Sequence, residues 1–354
     1  MARFRFAAAI FLIWLFGIGA IAQLFGEGLL NTVMTVSKFN VALALIFYLC
    51  AISTGISILA LCLSRTGNDI NVIKVGKAWI FGSFIDNVVP TVTPAGEAAM
   101  SFFLNRFYRA SYKDTLAAIG LYVSSWGISA TFFAIFGLIL GNLLLEVPLG
   151  YSILSLIIIL ILGTLTSVWL LLLKRRSRMK KLVLRFFDLY KNIYVKIRRK
   201  PFNVTKKDIE EEFEISYKTM MRSVDNKRFL AVSSFLFIIP QLCHALALWS
   251  LLAGFGLEVD FIGVLFVHLI SMLMGLIFLI PSGLGVYELG SGGLLVGMFG
   301  LNEGLVIAAI FLYRLIFVWI TNFTGGIIGL ATGVEEKAIE KAEENYTEQA
   351  TKKL

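Results

Sequence analysis

Six stretches of this chain, 6–26, 39–64, 115–145, 147–173, 229–257 and 261–287, run without a single charged side chain. A helix rises about 1.5 Å per residue and needs about 20 residues to cross the hydrocarbon core of a bilayer, so each stretch is long enough to span. None carries the alternating ten-residue pattern of a transmembrane β-barrel. Hydrophobic residues make up 58% of the 354 positions against 16% charged, and the mean hydropathy is +0.83. One water-soluble globule could not hide that much apolar surface. The sequence therefore specifies an all-α polytopic membrane protein.

Arg3 and Arg5 precede the first run, and Ala20-Ile21-Ala22 has the small residues of a signal-peptide cleavage site. The apolar stretch is longer than the ~7–15 residues of a signal core, so a retained first helix is expected. Cys50, Cys62 and Cys243 all fall in apolar runs, at spacings that suit neither a disulfide framework nor a zinc site. They are read as packing residues, and no metal or cofactor is expected.

Charge sets the orientation. The chain carries a net +9, yet residues 174–228 alone hold 18 Lys+Arg against 7 Asp+Glu, a local net of +11. By the positive-inside rule this loop is cytoplasmic. Arg65, Lys74 and Lys77, and then Arg106, Arg109 and Lys113, mark two more inside connections, whereas those around Glu27, Glu146, Glu258 to Asp260 and Glu303 contain one basic residue, Lys38. Threading the chain through these assignments puts both termini in the cytoplasm of a multi-pass cell-membrane protein. It divides the chain into a first membrane repeat (1–173), the basic loop (174–228), a second membrane repeat (229–334) and a charged tail (335–354).

Two segments do not fit as straight spans. Residues 71–109 begin and end among inside-type charges and are interrupted by Pro90 and Pro94. Residues 261–300 begin and end among outside-type charges and break at Pro281-Ser282-Gly283-Leu284-Gly285. Proline ends a helix by removing an N–H and by clashing with the preceding turn. Both segments are read as re-entrant helical hairpins entering from opposite faces, beside about six full spans. A shift of 191 positions superposes Pro90 on Pro281, Glu97 on Glu288, Leu104 on Leu295, Ala117-Ala118-Ile119 on Ala308-Ala309-Ile310 and Leu121-Tyr122 on Leu312-Tyr313. Broken segments in corresponding halves point to an inverted repeat with a site near the membrane midplane.

The run from Ile280 to Glu288, followed by Leu312-Tyr313-Arg314, resembles the membrane region of the lysylphosphatidylglycerol synthase family, which is the flippase-like part of the multiple peptide resistance factor and its stand-alone relatives. Pro90 to Pro94-Ala95-Gly96-Glu97 is similar to the family's upstream motif, except that Ala98-Ala99-Met100 stands where an arginine would follow the glutamate. The resemblance implies a lipid-translocating membrane domain. The chain ends at Leu354, so the soluble aminoacyl-transferring part and its synthase activity are not expected.

Glu97 and Glu288 lead the candidate site residues, because a carboxylate at bilayer depth must be paired, protonated or wet. Each also stands where it would satisfy the free N–H groups of a returning half-helix. Arg314, about ten residues into the last span, needs an anionic partner, and Glu288 is the natural one. That pair is either permanent or exchanged for a lipid phosphate. Pro281, Ser282, Gly283 and Gly285 shape the second break, and Gly283 and Gly285 would let the backbone approach a ligand. Asp86, Asn87 and Thr93 flank or occupy the first break, and Tyr287 and Tyr313 adjoin the key charges. His244 and His268, lone on apolar helices, are read as packing residues rather than relays.

Residues 180–200 interleave bases and apolar residues at helical spacing, which suits an interfacial helix on anionic inner-leaflet lipids and not a nucleic-acid partner. The expected function is movement of a lipid with a polar, phosphate-bearing headgroup, a phospholipid or a polyprenyl phosphate. A separate enzyme would make that lipid. The alternative is a secondary transporter of a small anion or ion through the same midplane site. An enzyme is not expected, because the chain has no Asp-rich metal motif, no His/Cys cluster and no Ser/His pair at suggestive spacing.

Overall fold

A computed structural model describes residues 26–67, 70–88, 95–181, 183–185, 188, 205–224, 226–278 and 281–332. The first apolar run, Thr93, most of the interfacial segment and the charged tail lie outside the described residues. Thirteen α-helices are described. They are α1 (Gly26–Met34), α2 (Lys38–Arg65), α3 (Val72–Val88), α4 (Ala95–Tyr108), α5 (Tyr112–Leu144), α6 (Leu149–Leu173), α7 (Lys206–Val224), α8 (Lys227–Leu236), α9 (Ile238–Gly254), α10 (Phe261–Phe278), α11 (Val286–Phe299), α12 (Glu303–Arg314) and α13 (Ile320–Ala331). A 3-10 turn, Pro281–Gly283, joins α10 to α11, and a π-helical turn, Leu315–Trp319, joins α12 to α13. No strand occurs among the described residues.

The protein is a polytopic membrane protein. Five helical units are long and apolar enough to cross a bilayer: α2, α5, α6, the continuous α8–α9 unit and the α12–α13 unit. Their outward faces carry exposed Phe39, Phe132, Phe136, Leu143, Leu156, Leu160 and Phe323. Such a belt is stable only against lipid. The α8–α9 unit bends at Phe237, because Pro240 in the first turn of α9 withholds an N–H from the preceding turn.

Each proline-broken segment folds into a helix pair, α3 with α4 and α10 with α11. At 14 residues, α4 and α11 are about 21 Å long, short of the ~30 Å hydrocarbon core. The 191-residue shift lays Ala95–Tyr108 onto Val286–Phe299, the full extents of these two helices, and starts α5 on the start of α12.

Contacts follow the same correspondence. α2 packs on α5 as α9 packs on α12, and α5 lies along α10 as α13 lies along α3. At the centre α2 lies against α9, its counterpart under the shift. The backbone N–H of Ser37 donates to the carbonyl of Gly254 at 3.0 Å, and Asn40 Nδ2 donates to the carbonyl of Ser250 at 2.9 Å. At the other end Arg65 sits over the Phe229 ring at 5.8 Å. The two corresponding helices therefore run antiparallel.

Small residues set how closely the crossing helices approach, as expected where dispersion contacts and not water drive association. Gly137 and Gly141 on α5 face Leu269 and Phe266 of α10, and Gly325 and Gly329 on α13 face Phe84 and Phe81 of α3. A methyl group at Gly325 would stand 2.5 Å from Phe84 Cβ and 2.8 Å from the Ile80 carbonyl oxygen, whereas one at Gly326 would meet nothing closer than 3.9 Å. Gly325→Ala is expected to cost about 1–3 kcal/mol through overpacking. Gly326→Ala should be neutral within about 0.5 kcal/mol. Thermal unfolding midpoints of the two detergent-purified variants test the difference.

Candidate functional site

The second break turns sharply. Ser282 (φ 53°), Gly283 (φ 61°) and Gly285 (φ 81°) all take left-handed backbone, which is cheap for glycine and costs serine about 1–2 kcal/mol. Two contacts hold Ser282 there. Its Oγ donates to the Asn87 carbonyl at the end of α3 at 3.1 Å, and its own carbonyl accepts from Arg314 Nη2 at 2.6 Å. The end of α3 thus meets the second break directly, and the cation of the last span reaches the meeting point.

Arg314 is only 7% exposed. Its Nε stands 2.7 Å from Glu288 Oε1 without the alignment of a hydrogen bond, so the contact is an ion pair with a donor direction left unused. The guanidinium carbon lies 5.3 Å from the centre of the Tyr287 ring. The other oxygen of Glu288 accepts from the Gly285 N–H at 2.7 Å. Glu288 therefore caps α11 and neutralises Arg314 at once.

The first hairpin is built differently. Asp86 Oδ1 accepts from the Gly96 N–H at 2.6 Å, so the carboxylate caps the first turn of α4 from the end of α3. Gly96 is pressed against Asp86 and against Gly82, where any Cβ would collide with the Asp86 carboxylate. Glu97, the next residue, is half-buried. Among the described residues no ion pair reaches either carboxylate. Position 123, which the shift equates with Arg314, is valine.

Asn87 completes the junction through its side chain, whose Nδ2 donates to Asn322 Oδ1 of α13 at 2.8 Å. Asn322 Nδ2 is buried without a partner among the described residues. Ser282, Tyr287, Glu288, Tyr313, Arg314 and Asn87 thus form one cluster where the end of α3 meets the second break, while Asp86 and Glu97 form a second at the first hairpin. Thr93 lies outside the described residues, and Pro281 opens the 3-10 turn. Asn322 was missed in the sequence, although a polar residue two turns beyond Arg314 in an apolar helix is a readable signal. The sequence shows His244 and His268 as lone residues on apolar helices, and the structure stacks them 5.8 Å apart, each bonded to one tyrosine, Tyr313 and Tyr287.

Chemically, the cluster offers one buried cation with an unaligned N–H, the start of a helix, and a carboxylate paired with the cation. Groups of this kind suit an anion such as a phosphate. A family model described as the lysylphosphatidylglycerol synthase TM region matches residues 3–325. A UPF0104 membrane protein of Pyrococcus horikoshii is 26% identical over 275 residues, covering 75% of this chain and 79% of its own. A UPF0104 membrane protein of Methanothermobacter thermautotrophicus is 29% identical over 143 residues, 39% of this chain and 42% of its own.

Proposed function

The chain belongs to the lysylphosphatidylglycerol synthase TM region family, and from that premise we propose that it carries a lipid with a polar, phosphate-bearing headgroup across the bilayer. The headgroup passes between two re-entrant hairpins related by an inverted repeat, while the lipid tails stay in the surrounding bilayer. Antiparallel packing of α2 on α9, helices that the 191-residue shift equates, supports the inversion. The excess of basic residues in 174–228 supports cytoplasmic termini in a cell membrane, with anionic inner-leaflet lipids against that loop. A separate enzyme supplies the lipid, and no chemical step on it is assigned to this chain.

The observation that carries the reading is Arg314, a buried guanidinium held between Glu288 and the Ser282 carbonyl where the two hairpins touch. A phosphate can replace the carboxylate on it, and the released Glu288 remains bonded to the Gly285 N–H. Exchange of one anion for another keeps the buried cation neutralised throughout passage.

Purified protein in liposomes with fluorescent phospholipids tests this, using an impermeant quencher to follow how much label becomes accessible. The expected result is accelerated exchange that Arg314→Ala and Glu288→Gln abolish. Because Ser282 Oγ touches the Asn87 carbonyl, Asn87→Cys with Ser282→Cys in a background free of the native cysteines should cross-link the tips and stop exchange until reduced. Wild-type liposomes that match protein-free ones across anionic, zwitterionic and polyprenyl-phosphate lipids, with and without an imposed gradient, would overturn the lipid reading. Uptake of a small anion would then be the measurement to make.

A further inference from the structure

Where α6 ends, the chain gathers charge that the hairpin site does not use. Lys174, Arg175, Arg176, Arg178 and Lys180 line a cleft of about 550 Å³ together with Glu214 of α7. Two of these cations are already paired. Arg176 forms an ion pair with Glu214, and Lys180 pairs with Glu210 at 2.7 Å and reaches Glu214 at 3.9 Å. Among the described residues no ion pair reaches Lys174, Arg175 or Arg178.

The walls of the cleft are fixed. Met179, in the midst of the basic side chains, is buried in the same core as Met220 of α7 and Ala117 and Leu121 of α5. Met220 closes over Gly120, where a methyl group would stand 2.6 Å from its sulfur. Both walls are therefore anchored on α5, and the ion pairs tie one wall to the other. Like charges on a wall that cannot spread repel one another, and an anion in the cleft relieves that repulsion.

The surface beside the cleft identifies the kind of anion. Ile157, Leu160, Thr164, Val168 and Leu171 follow one another at three- and four-residue spacing, all exposed on α6, and lead to Arg175, whose N–H still bonds to the Leu172 carbonyl at 2.9 Å. From Leu160 to Leu171 the helix rises about 16 Å, the hydrocarbon depth of one leaflet. A phospholipid with its tails along this stripe brings its phosphate to the height of the cleft. Arg175 and Arg178 stand one turn apart, joined by a 2.9 Å bond from the Arg178 N–H to the Arg175 carbonyl. Their guanidinium forks match the oxygens of a phosphate. A free phosphate would use the cations and leave the apolar stripe without a role.

We propose that this cleft is a binding site for one anionic phospholipid of the adjoining leaflet, separate from the Arg314 cluster. Its phosphate lies on Arg175 and Arg178 with Lys174 beside it, and its tails run along α6. The inference rests on the reading that anionic lipids border residues 174–228, and deepens it from a diffuse attraction to a site that holds one molecule. α7 contributes a wall and selects which cations the lipid meets, because Glu210 and Glu214 neutralise Arg176 and Lys180 and leave the other three. Basic pockets at the ends of membrane spans suit lipid headgroups in this way.

Native mass spectrometry of the delipidated full chain, titrated in detergent with phosphatidylglycerol or phosphatidylcholine, counts the lipids bound. Wild type should take up one phosphatidylglycerol well ahead of a second, and ahead of any phosphatidylcholine. Arg175→Gln with Arg178→Gln should weaken that first binding about thirtyfold, as expected for two cations at a membrane surface. Lys207→Gln with Lys218→Gln removes the same charge from exposed positions of α7 outside the cleft, and should weaken it no more than about threefold. All four side chains are exposed, so both double variants should keep the wild-type thermal midpoint in the absence of lipid. Equal weakening by the two double variants means attraction to overall charge, which overturns the site and leaves the reading of lipids against the loop intact. No preference for phosphatidylglycerol over phosphatidylcholine overturns both. Unchanged binding in Arg175→Gln with Arg178→Gln overturns the site. Glycerol 3-phosphate that displaces the lipid at equal concentration would show that the tails contribute nothing, and overturns a phospholipid as the occupant.

Discussion

Arg314→Ala is expected to destabilise the purified protein by about 3 kcal/mol, the lower end of what removing one partner of a buried ion pair costs, because Glu288 retains some exposure. The loss has two sources. Glu288 is left as an uncompensated carboxylate in a low-dielectric site, and the Ser282 carbonyl loses the charged donor that holds it in left-handed backbone. Combining Arg314→Ala with Glu288→Gln removes the first source and leaves the second, so the double variant should recover part of the stability lost by Arg314→Ala alone. Arg314→Lys tests the geometry of the fork: a single ammonium cannot reproduce the guanidinium's reach to Glu288 on Nε and to Ser282 on Nη2. It should fall between wild type and alanine. A double-mutant cycle on unfolding free energies checks all three, and strict additivity of the Arg314 and Glu288 changes would mean that the pair is not coupled.

Much of this arrangement was legible because membranes make sequence patterns coarse. Runs such as 115–145 and 147–173 announce α5 and α6 through the absence of charge alone. Pro281 with Gly283 and Gly285 announces a break that no helix tolerates. The short connection between Glu288 and Arg314 was enough to pair them, since a cation deep in a span has few alternatives. Other features depend on which faces meet, and an apolar helix hides its facing because hydrophobic residues cover every side. His244 and His268 sit on separate helices with nothing in their local spacing to relate them. The bend at Pro240 and the small-residue pairs Gly137/Gly141 and Gly325/Gly329 carried readable spacing, but only packing identifies the partner of each. Asp86 flanks the first break in the sequence with nothing there to show what it bonds, and the 2.6 Å bond from the Gly96 N–H identifies the cap.

The first hairpin yields the second large effect, through Gly96. Gly96→Val should destabilise by about 3–5 kcal/mol, combining overpacking with loss of a charge-assisted hydrogen bond. Its Cβ would fall on the Asp86 carboxylate and stand 2.5 Å from the Gly82 carbonyl oxygen, and neither α3 nor α4 can retreat freely, because Gly82 is itself closed over by Met100. Pushing the carboxylate aside also strips the cap from the Gly96 N–H. Gly293→Ala on α11 is the matched control, with nothing within 4 Å of the added carbon. Removing the obstacle should show in the energies: Asp86→Ala with Gly96→Ala is expected to cost less than the two single changes added together, since the methyl group then meets no carboxylate. Unfolding midpoints test the stability claim, and the cross-link between Asn87→Cys and Ser282→Cys reports whether the tip has moved. An intact cross-link in Gly96→Val would mean that the α3–α4 contact does not position the tip. The two hairpins thus share a scaffold but not a chemistry: Asp86 spends its charge on main-chain capping beside Glu97, which has no ion pair among the described residues, and the buried Arg314 on which the proposed anion exchange rests meets the second hairpin.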